Sequence, residues 1–309
     1  MSSAVLAVVV TYNAAPDLST RLRALRDQVQ ALLVVDNGSV NAAAVQAMAL
    51  EAGCQVILNP TNLGVAEALN QGARAALEQG AEWLATFDQD SHVPPHAIAQ
   101  LLALYAVLPQ RDHVAVLAMS RRDRGTGRDY HRSGEILEEI GQWRLVRTTI
   151  TSGSLVHVPL LRQVGLFDPR LFIDMVDLEF CMRCRRRGLR VVESREVTLA
   201  HSMGDSTNRV VLGRRVVLTR HSALRRYYIT RNQLEVCRRF MAFDPRWALG
   251  TLWDLIAGSM TALLFEADRG AKLCAMFTGL RDFALRRFGP APQPRQAPGI
   301  RPGPSGPGQ

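Results

Sequence analysis

The sequence predicts an α/β protein with an open, mostly parallel sheet flanked by helices. Three observations lead to this fold class. The first 90 residues hold four short runs of apolar residues, rich in β-branched side chains in the first three, as expected for strands buried on both faces. Segments with helical spacing separate these runs. The links between them are short, which is typical of a doubly wound arrangement.

The elements follow one another in a regular order. The first apolar run covers residues 5–10, and the helical segment after it carries leucines on one face, at Leu18, Leu22 and Leu25. Further runs cover residues 32–35, 55–58 and 83–87. The helix between the last two places small apolar residues at helical spacing, at Ala66, Leu69, Ala73 and Ala76.

Polar residues follow each of these strands at its carboxyl end. In open α/β sheets this edge is where ligands bind. The fourth strand runs directly into Asp88-Gln-Asp90-Ser, which places two carboxylates two residues apart. Such acids repel each other unless they are neutralised, and a hard divalent cation that bridges to substrate phosphates is the usual solution. An Asp-rich turn without a ligand is the alternative.

Several motifs together resemble the family 2 glycosyltransferases. They are Val-Val-Thr-Tyr-Asn, Val-Val-Asp-Asn-Gly-Ser, Asn-Leu-Gly, Asp-Gln-Asp-Ser, Thr-Ser-Gly-Ser at 151–154, and the segments 165–188, 201–205 and 227–232. The resemblance covers about residues 4–235. The acidic motif, the segment 172–180 and the His-Ser-Met-Gly-Asp run are most similar to the bacterial rhamnosyltransferase branch. This resemblance implies a glycosyltransferase A-type fold and transfer from a nucleotide sugar.

A nucleotide site is expected at the first strand ends. Asp36 is placed to accept a hydrogen bond from the imide nitrogen of uracil or thymine, a role that the resemblance also implies. A turn-capping aspartate before Asn-Gly is the alternative, and both roles can hold together. Asp88 is expected to face the ribose or the outer shell of a metal. The remaining predicted nucleotide-binding residues are Thr11, Tyr12, Asn13 and Asn62.

A metal site for Mg²⁺ or Mn²⁺ is predicted from Asp90 and His201. Asp90 is the better candidate for direct contact, and His201 follows an apolar strand at residues 189–200. A carboxylate, an imidazole and diphosphate oxygens make a plausible coordination sphere. A lone histidine with a structural role remains the alternative.

Asp177 is the candidate general base. It begins a helix whose apolar face carries Phe180, Cys181 and Cys184, so it is expected at the rim of a cleft. The resemblance implies an acidic pair at this position, but the chain has Val176-Asp177, so the first acid is missing. Glu179 is the reserve candidate and Asp174 a further one, and an ordinary helix N-terminal acid is the alternative interpretation of Asp177. A base across the acceptor from the donor implies inversion at the anomeric carbon.

Three further residues are candidates for contact with the acceptor or the diphosphate. Gly153 and Ser154 belong to a glycine-containing segment that lets backbone amides approach a ligand. Arg231 lies on a basic helix that has one face available to cover the diphosphate. A plain turn and a solvated basic helix are the respective alternatives.

The chain divides into four predicted regions. Residues 1–110 form the nucleotide-sugar-binding half, and residues 111–240 the acceptor-binding and catalytic half. Residues 241–288 form a helical extension, in which the apolar stretch 247–265 predicts a buried or interfacial helical hairpin rather than a membrane span. Residues 273–288 are basic and amphipathic, typical either of a helix on an anionic membrane or of a packed helix. Residues 289–309 are rich in Pro and Gly and predict a disordered tail.

Composition restricts the partners. The chain has 309 residues and a formal charge of +9, with Lys272 its one lysine. A basic surface suits phosphate-bearing substrates or anionic lipids, and no nucleic-acid-binding motif is evident. Five scattered cysteines suit a reducing cytoplasm, and Cys181 and Cys184 are interpreted as small core residues. The first apolar run is too short and β-branched for a signal peptide.

The sequence therefore predicts a cytoplasmic, inverting, metal-dependent glycosyltransferase. The resemblance implies that the reaction moves rhamnose from a dTDP donor to a cell-surface polysaccharide or a lipid-linked precursor, and peripheral membrane contact is kept open. The alternatives are transfer of another sugar from a nucleotide donor, such as a UDP-linked hexose or furanose, and a non-catalytic nucleotide-sugar-binding protein. A sugar nucleotidyltransferase is disfavoured, because residues 10–13 offer no Gly-rich loop for a triphosphate.

Overall fold

The computed structural model describes residues 4–123, 134–201, 207–211, 214–218 and 221–291. Of residues 121–123, 200–201, 207–211 and 214–218 it describes the backbone alone. The strands are β1 Val5–Thr11, β2 Ala31–Asp36, β3 Gln55–Leu58, β4 Trp83–Asp88, β5 Val114–Asp123, β6 Ile136–Ile140, β7 Trp143–Val146, β8 Ser154–His157, β9 Arg190–His201, β10 Thr207–Val211 and β11 Arg214–Leu218. The helices are α1 Leu18–Arg26, α2 Ala42–Glu51, α3 Val65–Glu78, α4 Ala97–Val107, α5 Val158–Val164, α6 Val176–Arg186, α7 Ala223–Phe240, α8 Pro245–Phe265 and α9 Arg269–Ala284.

The central sheet is mixed, with a parallel amino-terminal half. Its order over the described residues is β3-β2-β1-β4-β8-β5-β9-β7-β6. β1 pairs in parallel with both β2 and β4, and β2 pairs in parallel with β3. β8 inserts antiparallel between β4 and β5, while β5 and β9 are parallel. The predicted strand–helix alternation of the first 90 residues is confirmed, and the antiparallel insertion of β8 is an addition to it.

Both faces of β1, β2 and β4 are buried, as their continuous apolar runs predict. Alternate residues of β1 point to opposite sides, with Leu6 and Val8 in one core and Val5, Ala7 and Val9 in the other. The first core also holds the small residues of α3, and the second holds the leucines of α1. Gly72 lets α3 approach β1 closely, because a Cβ there would lie 2.7 Å from the Val8 side chain.

The carboxyl-terminal helices pack around α7. The described part of the chain has one helix, α8, that is long and apolar enough to cross a membrane, but only 17% of that apolar stretch is buried. α8 and α9 are consecutive helices that both contact α7. The hairpin predicted within residues 247–265 is wrong, because this stretch forms the single helix α8. The outer face of α8 is exposed, which excludes the buried alternative and leaves the interfacial one.

The first residues of the predicted disordered tail are held in place. The Gly289 carbonyl accepts a hydrogen bond from Arg231 Nη1 at 2.8 Å, and the Ala291 amide donates to the Tyr228 hydroxyl at 2.6 Å. Residues 292–309 lie outside the described residues. The structural interpretation of Cys181 and Cys184 is confirmed, because both thiols are buried in the core.

Candidate active site

Asp36 and Asp88 lie at the same edge of the sheet, on either side of β1. In the strand pairing, Thr11 is opposite Asp36 and Val10 is opposite Asp88. Neighbouring strands lie about 4.8 Å apart, so roughly 10 Å separates the backbones of the two aspartates. This spacing suits two groups that contact different parts of one nucleotide.

Asp36 is fully buried and caps a turn. Its Oδ1 accepts hydrogen bonds from the Thr11 hydroxyl at 3.1 Å and from the Ser39 hydroxyl. Its Oδ2 accepts from the Ser39 amide at 2.9 Å. The structural role expected for an aspartate before Asn-Gly is therefore confirmed, and the contact with a nucleobase stays a prediction.

The loop after β1 is tied to both neighbouring loops. The Tyr12 amide donates to Gln89 Oε1 at 2.8 Å, and Gln89 Nε2 donates back to the Tyr12 carbonyl at 3.3 Å. The Asn13 amide donates to the Ser39 hydroxyl at 2.7 Å. Tyr12 is 49% exposed, so its ring is available to a ligand above the sheet edge.

Asn62 belongs to the same network. Its side-chain oxygen accepts from Asn37 Nδ2 at 3.1 Å and from the Gly64 amide at 2.9 Å. Gly64 has φ +87° and lies against Phe172, where an added Cβ would come within 2.7 Å of the ring. The structure therefore brings the predicted nucleotide-binding residues to one edge and joins that edge to residue 172.

A cleft of about 470 Å³ opens beside β4. It brings together Asp88 from the sheet edge and Asp177 from the start of α6, 89 positions apart in the sequence. The segment before α6 and the amino-terminal part of α7 form its other walls. The lining residues are Val65, Asp88, Thr151, Ile173, Asp174, Met175, Val176, Asp177, Leu178, His221, Arg225, Ile229 and Gln233.

The cleft carries excess negative charge. Burial and, secondarily, the nearby Asp90 carboxylate raise the pKa of Asp88 to about 6, against the opposing effect of Arg225. Burial also raises the pKa of Asp174, which Arg225 counters through a hydrogen bond of 3.1 Å. Burial and the neighbouring arginines lower the pKa of His221 to about 4, so this imidazole is neutral at pH 7.

These residues fit a hard divalent cation. Asp88 and Asp90 lie two residues apart with interacting charges, and Asp174 Oδ2 is buried without a hydrogen-bond partner. Carboxylate oxygens are the ligands that Mg²⁺ and Mn²⁺ prefer. No group of three metal-ligating side chains occurs among the residues that the structure describes. The assignment of Asp90 as a ligand therefore stays a prediction.

His201 lies at the same sheet edge as Asp88. β9 is parallel to β5, and β5 and β4 are both antiparallel to β8, so the carboxyl ends of β4 and β9 share one edge. The His201 side chain lies outside the described residues. Its role as a metal ligand also stays a prediction.

Asp177 and Glu179 point in different directions. Asp177 lines the cleft, and its Oδ1 accepts from the Leu178 amide at 2.9 Å. Glu179 is buried in a separate cavity, where Arg183 donates two hydrogen bonds to its Oε2, at 2.8 and 3.2 Å. Glu179 was expected as the reserve base and does not reach the cleft. Two positions along a helix correspond to about 200° of rotation, so the two carboxylates cannot share a face.

The segment that leads into α6 has a strained backbone. Phe172, Asp174 and Met175 have φ values of +66°, +62° and +67°. Such conformations cost about 1–3 kcal/mol each for residues other than glycine. Asn232 Nδ2 compensates, because it donates to the carbonyls of Leu171 at 2.7 Å, Ile173 at 2.7 Å and Asp174 at 3.3 Å.

Arg231 binds the backbone just before this strained segment and does not face the cleft. It is fully buried, and its guanidinium donates to the carbonyls of Arg170, Leu171 and Gly289. It also lies over the Tyr228 ring at 5.0 Å. The expectation that Arg231 contacts the diphosphate or acceptor is therefore corrected: α7 turns this side chain into the protein.

Gly153 and Ser154 are also buried structural residues. The Gly153 amide donates to the Thr86 carbonyl at 2.9 Å, and the Ser154 hydroxyl donates to the Ile150 carbonyl at 2.6 Å. Gly153 has φ +79°, and an added Cβ would lie 3.0 Å from Leu199. The expected contact of these two residues with a ligand is corrected, because their backbone pairs with β4 and β5.

Two ionisable cleft residues, Arg225 and His221, were not identified from sequence. Arg225 lies on the basic helix of Arg231, for which a solvated face was the alternative, and His221 belongs to no motif. Arg225 projects from the first turn of α7 into the cleft, where it pairs with Asp174. The available signal was its position three residues after Ser222, which caps α7 through a 3.2 Å bond from the Arg225 amide.

The chain resembles known glycosyltransferases over most of its length. The family described as Glycosyl transferase family 2 matches residues 6–163. The dTDP-rhamnosyl transferase RfbF of Shigella flexneri is 30% identical over 249 residues, which cover 77% of this chain and 81% of that protein. The galactofuranosyltransferase GlfT1 of Mycobacterium tuberculosis (strain CDC 1551 / Oshkosh) is 29% identical over 252 residues, covering 75% and 82%.

Solved structures support the fold. TarS 1–349 of S. aureus in complex with UDP-GlcNAc has a TM-score of 0.54 and 16% identity, covering 92% of this chain and 81% of that chain. GalNAc-T7 with UDP, GalNAc and Mn²⁺ has a TM-score of 0.52 and 13% identity, covering 65% and 44%. With a glycosyltransferase A-type fold, a family match over half of its residues and 30% identity to a rhamnosyltransferase, the chain belongs to glycosyltransferase family 2 and is a rhamnosyltransferase-like enzyme.

Proposed function

We propose that this enzyme is an inverting, divalent-cation-dependent rhamnosyltransferase that uses dTDP-rhamnose. The observation that carries the proposal is the cleft in which Asp88, beside Asp90, faces the start of α6 with Asp177. Acids at two walls of one cleft match the two tasks of glycosyl transfer. One acidic group would hold the departing diphosphate through a divalent cation, and the other would remove a proton from the acceptor.

Asp177 is the proposed general base. In the reaction, its carboxylate takes the proton from the acceptor hydroxyl as that oxygen attacks the anomeric carbon. The bond to the diphosphate oxygen breaks on the opposite face of the sugar, so the configuration inverts. The strained segment before α6, held by Asn232, orients this carboxylate toward the cleft.

Asp88 and Asp90 are proposed to hold the diphosphate through a Mg²⁺ or Mn²⁺ ion, with His201 as a further ligand. When bound, this cation supplies Lewis-acid stabilisation of the leaving diphosphate. Arg225 lies in the same cleft, 3.1 Å from Asp174, and can pair with a diphosphate oxygen when a donor enters. His221 next to it is neutral at pH 7, so Arg225 supplies the positive charge at this end of the cleft.

The nucleoside is proposed to lie over the ends of β1 and β2. Asp36 there meets the imide nitrogen of the base, with Thr11, Tyr12, Asn13 and Asn62 around it. The dTDP donor is favoured by RfbF, whose name specifies dTDP-rhamnose chemistry. Transfer of another sugar is the second candidate, favoured by the galactofuranosyltransferase GlfT1 at similar identity.

The acceptor is proposed to be a cell-surface polysaccharide or its lipid-linked precursor. Synthesis on a lipid-linked precursor would place the enzyme in the cytoplasm, against the inner face of the membrane. The exposed outer face of α8 agrees with this location. We also propose that the chain divides into functional regions at residues 110, 240 and 288, as the sequence predicts.

A donor panel tests the reaction directly. Purified protein is incubated with dTDP-rhamnose, UDP-galactofuranose and UDP-GlcNAc, and released nucleotide is measured with Mn²⁺ and with EDTA. We expect dTDP release to be fastest and EDTA to remove it. Faster release of UDP would show that the donor is a UDP-sugar. Unchanged activity in EDTA would contradict the proposed cation dependence, and no turnover with any donor would favour a non-catalytic binding protein.

Asp36→Asn should weaken dTDP binding by roughly 10- to 100-fold, since a hydrogen bond to a charged group contributes about 1.5–3 kcal/mol. Titration calorimetry with dTDP measures this. Ser39→Ala is the matched control, because it removes the hydroxyl contact to Asp36 and keeps both the amide contact and the carboxylate. Equal losses in both variants would assign Asp36 to the turn alone.

A further inference from the structure

The outer face of α8 is a stripe of exposed apolar side chains. Leu249, Trp253, Ile256, Met260 and Leu264 are 53–68% exposed. Their spacing of three and four residues puts them on one face of the helix. The residues that bury α8 against the protein occupy the opposite face, at Trp247, Ala248, Thr251 and Ala262.

This stripe is as large as the largest apolar patch of a typical soluble monomer, and such patches are often functional. Five side chains of this size, each just over half exposed, present roughly 500 Å² of apolar surface, within the range that marks an interaction site. The stripe runs along a helix of 21 residues. α9 adds three further exposed apolar residues, Leu273, Phe277 and Leu280.

The charges near the stripe favour an anionic partner. The exposed charged residues of α8, α9 and their neighbours are five arginines and two aspartates, at Arg246, Arg269, Arg281, Arg286, Arg287, Asp254 and Asp268. Two of these arginines, Arg281 and Arg286, also pair with the buried carboxylates of Asp282 and Glu235. The whole chain carries +9. A second copy would bring the same positive charge against this face, whereas anionic lipid headgroups would neutralise it.

We propose that α8 lies in the surface of an anionic bilayer, with the apolar stripe inserted to the level of the acyl chains. The helix lies on the membrane and does not cross it, because its opposite face is packed on the protein through Trp247 and Ala248. Trp253 is the most exposed residue of the stripe, and tryptophan favours the boundary between headgroups and acyl chains. This inference deepens the proposed function by naming the surface through which a lipid-linked acceptor would be reached.

Trp253 is a built-in probe of this contact. The other three tryptophans, Trp83, Trp143 and Trp247, are 0%, 6% and 9% exposed, while Trp253 is 68% exposed. Phosphatidylglycerol vesicles should shift the emission of Trp253 to shorter wavelength and sediment with the protein. Phosphatidylcholine vesicles should do neither, and added salt should weaken the binding to phosphatidylglycerol. No shift and no co-sedimentation would overturn the proposal.

Variants locate the surface. Ile256→Glu with Met260→Glu should reduce binding to phosphatidylglycerol vesicles by at least about tenfold, because two apolar side chains no longer enter the bilayer. Val107→Glu is the matched control, an exposed apolar residue on α4 that should leave binding unchanged. Because no donor or acceptor is present, the result is independent of the proposed reaction. Equal binding by the double variant would overturn the proposal, as would a stable dimer in solution that the double variant abolishes.

Discussion

Asp177→Asn should lower kcat by about 10²- to 10⁴-fold, the contribution typical of a general base. The affinity for the nucleotide donor should stay near that of the parent enzyme, since Asp177 is proposed to contact the acceptor and not the donor. The substitution keeps the size of the side chain and an oxygen able to accept from the Leu178 amide. Single-turnover transfer and dTDP titration measure the two quantities separately.

Glu179→Gln is the matched control for this prediction. Its carboxylate lies on the opposite face of α6 and pairs with Arg183 at 2.8 Å. We expect a lower Tm, because a buried ion pair is broken, and a kcat close to that of the parent enzyme. Parent-level kcat in Asp177→Asn would exclude it as the base, and a selective loss of kcat in Glu179→Gln would contradict the assignment of the two faces.

Asp90→Ala should reduce transfer by about 10³-fold or more, the scale expected when charge stabilisation of a leaving group is lost. Binding of Mn²⁺ should weaken in parallel, because Asp88 would be the one carboxylate left at the end of β4. Calorimetric titration with Mn²⁺ and a transfer assay over a range of Mn²⁺ concentrations measure both effects. Excess Mn²⁺ should restore part of the activity if the site is weakened rather than removed.

Asp112→Ala controls for the loss of one surface charge. Asp112 is also an exposed aspartate, with its side chain 89% accessible, and it lies in the short turn before β5, away from the cleft. This variant should keep both activity and Mn²⁺ affinity. Unchanged transfer and Mn²⁺ dependence in Asp90→Ala would show that another group holds the cation.

The amino-terminal half could be predicted because its signals are local. A continuous β-branched run such as residues 5–10 indicates a strand buried on both faces. Once β1, β2 and β4 are parallel neighbours, Asp36 and Asp88 must reach the same edge. Sequence pattern and sheet geometry therefore bring together the two acids without any knowledge of side-chain contacts.

The backbone of the cleft wall that leads into Asp177 could not be predicted in this way, because it depends on contacts between distant segments. The backbone at Asp174 and Met175 is left-handed, a conformation that their side chains disfavour. It is maintained by Asn232, about 60 residues later, which bonds to three carbonyls of this segment. No local pattern reveals that Asn232 serves the backbone there.

The errors have physical causes that differ from residue to residue. Arg231 was assigned to a ligand on its charge, but carbonyls left open by the strained segment attract the same guanidinium. Glu179 could have been excluded from helix geometry alone, because a position two residues from Asp177 faces away from it. The missing side chain of Gly153 suggested space for a ligand. Instead, glycine is needed there for a backbone with positive φ, which lets the Gly153 amide bond to Thr86 of β4.

The central claim is that Asp88 and Asp90 hold the donor diphosphate across one cleft from Asp177. A crystal structure with dTDP and Mn²⁺ tests it most directly, because the anomalous signal of manganese locates the cation independently of the protein. The account predicts that signal beside Asp90, with the diphosphate in the cleft and the thymine over the ends of β1 and β2. Manganese and nucleotide bound elsewhere, with the cleft between Asp88 and Asp177 empty, would contradict it.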